Sequence, residues 1–301
     1  MNWQVVGLDI PRALAQTQAM VTDALQDLLP APGEVPTAVP AAMQHAVAGG
    51  KRLRPFLALQ AAEACGLDPR AVLPTACGLE MMHCATLVHD DLPCIDDADL
   101  RHGRPALHVA FGEATALLAA DALIILSFEC LARQAERPET PPERALQCLR
   151  ELAEGTGPRG LIVGEALDIE TERRPYTEAE LEFIHINKTA KLIVCATRAG
   201  AILAGADAAV LQRLTDYAEA LGLLFQITDD LLDVTATAAE LGKPVGADAA
   251  AGKATYVGLL GVNAARARAE EVGARAVAAA RELPGADVWL SLAEFVVQRT
   301  H

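Results

Sequence analysis

His89-Asp90-Asp91-Leu92-Pro93-Cys94-Ile95-Asp96-Asp97-Ala98-Asp99-Leu100-Arg101-His102-Gly103-Arg104-Pro105 places five aspartates within ten positions. Before it, Leu79, Met82, Leu87 and Val88 recur at helical spacing, so a helix is expected to run up to Asp91. Pro93 disfavours helical geometry at Leu92 and should end it there. Two carboxylates then stand at a helix C-terminus, where the macrodipole is already negative. Each is unfavourable there by roughly 0.3–1 kcal/mol unless a cation is near. A solvated acidic loop is the ordinary alternative. The sharper reading is a carboxylate cluster for a hard divalent cation. Mg²⁺ suits it, because that ion takes one or two carboxylates and fills its octahedron with water and substrate phosphates.

A second stretch, Phe225-Gln226-Ile227-Thr228-Asp229-Asp230-Leu231-Leu232-Asp233, strengthens that reading. Asp229 and Asp233 are four apart and share a helix face, with Asp230 beside them. Like charges at that spacing repel, and apolar residues surround them. Such a face is poor design for stability alone. Two such clusters, about 140 residues apart, could face each other across a helical bundle and clamp a metal-bound diphosphate.

The rest of the chain agrees with a bundle. Its 301 residues are 52% hydrophobic and only 4% aromatic. The apolar residues are mainly Ala, Leu and Val at a period nearer 3.6 than 2, which predicts an all-α fold. No internal repeat is visible. Pro30, Pro32, Pro36 and Pro40 follow an amphipathic stretch at 9–29 too short to fold alone, so they mark a loop. Further loops are expected at 137–143, 173–176 and 235–253. One domain over 1–301 is the expectation. The formal charge of −15 excludes a nucleic-acid partner, whose phosphates need a basic surface. Seven scattered cysteines without a Cys-x-x-Cys pair read as buried thiols in a reducing compartment. Asp9 and Arg12 interrupt any signal-like run, and Asp121 lies inside the apolar run 114–131, against a membrane span. A soluble, cytoplasmic protein follows as the expectation.

The two acidic motifs, in this order, resemble those of the trans-isoprenyl diphosphate synthases, the polyprenyl synthetase family. Asp90-Asp91-Leu-Pro-Cys-Ile-Asp96 is similar to its first aspartate-rich motif in the longer form, and Asp229-Asp230-Leu-Leu-Asp233 to its second. The likeness extends from about Gly49 to Tyr256. It implies a single helical bundle of ten or more helices around a deep cavity, and a homodimer. It also implies Mg²⁺, three ions per site, held by Asp90, Asp91, Asp96, Asp229, Asp230 and Asp233. Asp90, Asp96 and Asp229 are the expected direct ligands.

Gly49-Gly50-Lys51-Arg52-Leu53-Arg54-Pro55 sets three cations in four residues after two glycines. Lysine offers a point charge and arginine a two-pronged fork to a polyanion. The resemblance implies that Gly50, Lys51, Arg54 and His83 hold isopentenyl diphosphate. It assigns Arg101, Lys188, Thr189, Gln226, Lys243 and Lys253 to the allylic diphosphate side. Four of the five lysines fall in these motifs. Two departures stand out. His102 occupies the place of the family's second arginine, which helps hold isopentenyl diphosphate. Glu165 stands in Gly-Glu-Ala-Leu-Asp168 where Gln is usual, and the sequence supplies no benefit for its charge beyond a surface ion pair.

The implied chemistry is ionisation of the allylic diphosphate, attack by isopentenyl diphosphate, and proton loss. Asp90, Asp91, Arg101, Lys188, Asp229 and Lys243 carry the catalytic part. A terpene cyclase needs one substrate only, and the 50–54 cation site argues against it. An inactive regulatory subunit typically lacks aspartates that are present here. Chain length is expected to follow from Ala85 and Thr86, where an aromatic side chain in the family stops growth at C15. Both are small here, with Met82 and Met81 as the expected floor, so the C20 product geranylgeranyl diphosphate is expected and the C15 product farnesyl diphosphate is the alternative.

Overall fold

A computed structural model describes residues 8–172, 174–235 and 252–298. Lys243, and most of the loop expected at 235–253, lie outside the described residues. Among the described residues the chain is all-α. Fourteen α-helices are joined by two short 3₁₀ turns, one π-helical turn and a single two-stranded ribbon.

Helix α1 (Ile10–Leu28) starts at Asp9, whose side chain accepts the Arg12 amide at 3.1 Å. It buries Ile10, Leu14, Val21 and Leu25 at helical spacing. The proline-rich stretch follows as a loop. Then come α2 (Val39–Val47) and α3 (Leu53–Ala64). Helix α4 (Leu73–Asp90) runs through the centre with Leu79 and Met81 fully covered, and its C-cap is Asp91. A short α5 (Leu107–Phe111) leads into α6 (Glu113–Arg133), which packs against α4. Gly78 permits this close approach. A Cβ there would lie 2.6 Å from Leu131 and 2.8 Å from the Ser127 carbonyl. By length and hydropathy these two helices could cross a membrane; here α4 is largely buried, while α6 packs against it with one face and leaves the other open.

The second half holds α7 (Pro142–Thr156), α8 (Leu161–Thr171), α9 (Glu178–Ile184), a π-helical turn (His185–Ala190), α10 (Lys191–Ala204) and α11 (Ala208–Thr235). After the undescribed stretch come α12 (Tyr256–Leu260), α13 (Val262–Ala280) and α14 (Ala286–Gln298). A Thr177–Glu180 capping box starts α9. One continuous apolar core runs from Ile10 to Val296.

Candidate active site

Both acidic stretches are delivered by long helices whose lengths are set by core packing. Helix α4 ends at Asp90, and the following loop folds back on it, with the Asp96 amide donating to the Asp90 carbonyl at 2.8 Å. The loop continues into a tight hairpin, Leu100–Arg101 paired with Arg104–Pro105. Its two turn residues, His102 and Gly103, have φ of 51° and 73°, the geometry of a two-residue hairpin loop. Helix α11 carries Asp229, Asp230 and Asp233 from the other side.

A cavity of about 490 Å³ lies between them. Asp90 and Asp229 both line it, together with Gly50, Lys51, Arg54, His83, Thr86, Arg101, His102, Lys188, Thr189 and Gln226. One hole thus collects most of the residues read from the sequence. Arg52 and Glu80 also line it, and the rest of its wall is largely apolar. Phe225, Leu161 and Leu192 contribute, and α14 adds Leu292, Phe295 and Val296. Sequence reasoning missed that last helix, whose only signal was an apolar periodicity shared with every other helix.

The aspartates divide by partner. Asp91 is 2% exposed and turns to the Arg101 guanidinium, which donates through Nε at 3.0 and 3.1 Å and through a second nitrogen. The unfavourable charge expected at this helix end is therefore met by a protein cation. Asp230 also faces protein. Its Oδ2 accepts the Tyr256 amide at 2.8 Å and its Oδ1 the Gln226 amide at 3.4 Å, while Gln226 accepts the Thr189 hydroxyl at 3.1 Å. Thr189, Gln226, Asp230 and Tyr256 form one chain linking the π turn, α11 and α12. Asp233 is buried on α11. Asp96 meets Lys253 at 2.9 Å, a bridge between residues 157 positions apart.

Burial pushes the Asp90 carboxyl up to about 7; Lys188 works against this, while Glu165 and Asp96 add to it. An acidic group so poorly tolerated in charged form is one that a cation would stabilise. Among the described residues no three carboxylates converge as a ready-made cage. The donor set is all oxygen and sits on two facing walls, which fits Mg²⁺ shared between protein carboxylates and a substrate's phosphates.

Lys188 sits in the π turn, a geometry often found at functional sites. Its ammonium lies 2.7 Å from Asp168 and 2.8 Å from Glu165. Burial opposes its charge, but Asp168, Asp90 and Glu165 outweigh that and raise its pKa. The turn is clasped from both sides by glycines. At Gly164 of α8 an added Cβ would meet the Lys188 backbone nitrogen and lie 2.9 Å from Asn187; at Gly222 of α11 it would lie 2.6 Å from the Ala190 Cβ.

The basic loop separates into two kinds of cation. Arg52 is 2% exposed and donates to Glu80 at 2.8 Å and to the Val47 carbonyl. It ties the loop to α4 while also lining the cavity. Lys51 is exposed and Arg54 half-buried, and both line the cavity. The His102 ring packs over Gly50, 3.5 Å from where a Cβ would stand. Burial, then Arg101 and Arg52, lower the His102 pKa, so its ring is neutral near pH 7. Burial and the flanking arginines and His102 do the same to His83. Among the described residues the non-glycine positive-φ positions are Arg52, Asp97 and His102, all in these two loops, as is common where backbone strain is held at a site.

Two expectations need correction. Glu165 is not a surface pair: it is 15% exposed and bound to Lys188. Of the four chain-length residues, only Thr86 lines the cavity. Ala85, Met81 and Met82 are buried on the α4 face that also carries Gly78, the face turned to α6. Met82 and Met81 are buried and do not line the cavity.

Acidic walls opposed to cations around a half-apolar hole define a class: a helical bundle built for a molecule with a hydrocarbon body and a polyanionic head. Comparison with known proteins narrows it. The polyprenyl synthetase family model matches residues 36–282, and the chain belongs to that family. It is 42% identical to a farnesyl diphosphate synthase of Geobacillus stearothermophilus over 273 residues, 89% of this chain and 91% of that one. It is 44% identical over 236 residues to the chloroplastic geranylgeranyl pyrophosphate synthase 11 of Arabidopsis thaliana, 76% of this chain and 66% of that one. An apo FPP/GFPP synthase structure from Zymomonas mobilis superposes with a TM-score of 0.84 at 32% identity, covering 96% of this chain and 99% of the other.

Proposed function

We propose that this cavity joins isopentenyl diphosphate to an allylic diphosphate as a short-chain prenyltransferase, with the C20 diphosphate as main product. The carrying observation is that one cavity takes Asp90, Asp229, Lys188 and the Gly50–Arg54 loop against an apolar wall. In this reading Asp90, Asp96 and Asp229 would hold Mg²⁺ directly, three ions per site, with Asp91, Asp230 and Asp233 behind them. When bound it supplies Lewis-acid stabilisation of the departing diphosphate. Arg101, Lys188 and Lys253, with Lys243 outside the described residues, take up the charge that develops on the same oxygens. Thr189 would turn its hydroxyl from the Gln226 side-chain oxygen, which accepts it at 3.1 Å here, to donate to the allylic diphosphate. On the other side Gly50, Lys51, Arg54, His83 and His102 hold isopentenyl diphosphate. The allylic C1–O bond breaks, the isopentenyl double bond attacks C1, and the released diphosphate takes the proton. Leu292, Phe295 and Phe225 keep water from the cation.

C20 rests on Thr86, which is small and walls the cavity, and C15 is the competing product. The test is product analysis with farnesyl and isopentenyl diphosphates. Failure to form any C20 diphosphate overturns the chain-length reading. Diphosphate release from an allylic substrate that does not require isopentenyl diphosphate overturns the transferase reading in favour of a cyclase; no release under any condition points to an inactive subunit.

We also propose a homodimer. Helix α6 exposes Leu117, Leu118 and Ile125 at 44, 57 and 68%, apolar side chains on a face shared with the exposed Asp121, and exposed apolar patches of this kind mark protein interfaces. The seven thiols are free, which supports a reducing, cytoplasmic setting.

A further inference from the structure

Lys188 has two carboxylate partners, both from α8. Its Nζ lies 2.7 Å from Asp168 and 2.8 Å from Glu165, and the three side chains are only 21, 14 and 15% exposed. One ammonium between two carboxylates leaves a net charge of −1. With glutamine, the neutral isostere, at position 165 the trio would be neutral. Moreover, the Glu165 Oε1 atom is buried with no hydrogen-bond partner. A buried acceptor left unmet is unfavourable by about 1–3 kcal/mol, more when charged. Packing offers no compensation for it, because a glutamine of the same shape would fill the space.

We infer that Glu165 is a positioning residue that makes diphosphate binding conditional on the divalent cation. It over-neutralises Lys188 and holds it among carboxylates. A diphosphate arriving alone meets an occupied lysine beside a negative charge. Cations on Asp90 and the facing aspartates reverse that local charge, and Lys188 is then free to turn from α8 to the phosphate oxygens. Unproductive metal-free complexes, in which the allylic C1–O bond is bound but not activated, are thereby disfavoured. This inference rests on the reading of Lys188 as a diphosphate partner.

The test is calorimetric titration of the full-length protein with inorganic diphosphate, once in EDTA and once in saturating Mg²⁺. Glu165→Gln should tighten binding in EDTA about tenfold, equivalent to about 1.4 kcal/mol, and change binding in Mg²⁺ much less. Glu165→Ala should move the same way, and Glu165→Asp should keep the wild-type dependence on metal. A merely structural role would shift both conditions together or lower the melting temperature alone. Lys188→Ala, measured in Mg²⁺, separates the two readings. If it weakens binding while neither Glu165→Gln nor Glu165→Ala tightens binding in EDTA, the Glu165 inference is overturned and the Lys188 reading stands. If Lys188→Ala leaves binding unchanged, both fall.

Discussion

Asp90 is an acid held where its charge is unwelcome, and that has two separable consequences. Its carboxyl titrates near 7 in the ligand-free fold, against about 3.9 in an unfolded chain. Between those values the folded state keeps the extra proton, so stability falls as pH rises through that window, and the loss is complete by pH 8. Asp90→Asn removes it. In EDTA the variant should melt above wild type at pH 8, with the gap shrinking toward pH 5. A gap independent of pH would show that Asp90 is not strained. Yet the same variant, like Asp229→Asn, should retain under about a tenth of wild-type turnover, more than about 1.4 kcal/mol of added barrier. Residues 85 and 86 make a second contrast. Thr86→Phe should shorten the product to C15, since Thr86 walls the cavity. Ala85, fully buried, should respond to Phe with about 1–3 kcal/mol of overpacking, read as a lower melting temperature. If Ala85→Phe leaves stability intact and alone shortens the product, the assignment of the two faces is reversed. These distinctions were not legible in the sequence. Spacing puts both residues near the acidic motif, but which one turns inward depends on where α6 packs.

At the scale of elements, the π turn is where precision concentrates. Gly164 and Gly222 let α8 and α11 touch it with no side chain between. Gly164→Ala should therefore displace Lys188 and lower turnover at least tenfold, with a modest loss of stability of about 1–3 kcal/mol. Steady-state kinetics and thermal melts on one preparation check this. Unaltered turnover would mean that Lys188 tolerates displacement. The long helices themselves were legible: α1, α4 and α11 show in the sequence as apolar residues at helical spacing, with Pro93 stopping α4. The Lys188-Thr189 pair was legible only through family resemblance, and the π turn around it was not, because a wider backbone turn leaves no local pattern. The inward cations Lys51 and Arg54 also carry no mark that separates them from Arg52. Only the position of Glu80, on another helix, decides which of the three is buried.

The whole molecule is shaped by two surfaces, one outside and one within. The outer one is the stripe on α6, where Ile125 is 68% exposed. Ile125→Lys should convert a dimer to a monomer by light scattering, leaving the helical spectrum unchanged. A variant that elutes and scatters as wild type would place any partner elsewhere. The inner surface, the cavity, was legible on its charged side and not on its apolar side. Charged residues at a helix end or in a glycine loop announce themselves locally, whereas Phe295 is one apolar residue among many until the chain closes on itself. That closure joins Leu14 of the first described helix to Leu292, Phe295 and Val296 of the last. On the ribosome, then, the aspartates and the cation-bearing loops emerge before the part of the apolar wall that α14 supplies. The last described helix thus completes the dry side of a hollow whose charged side is already in place.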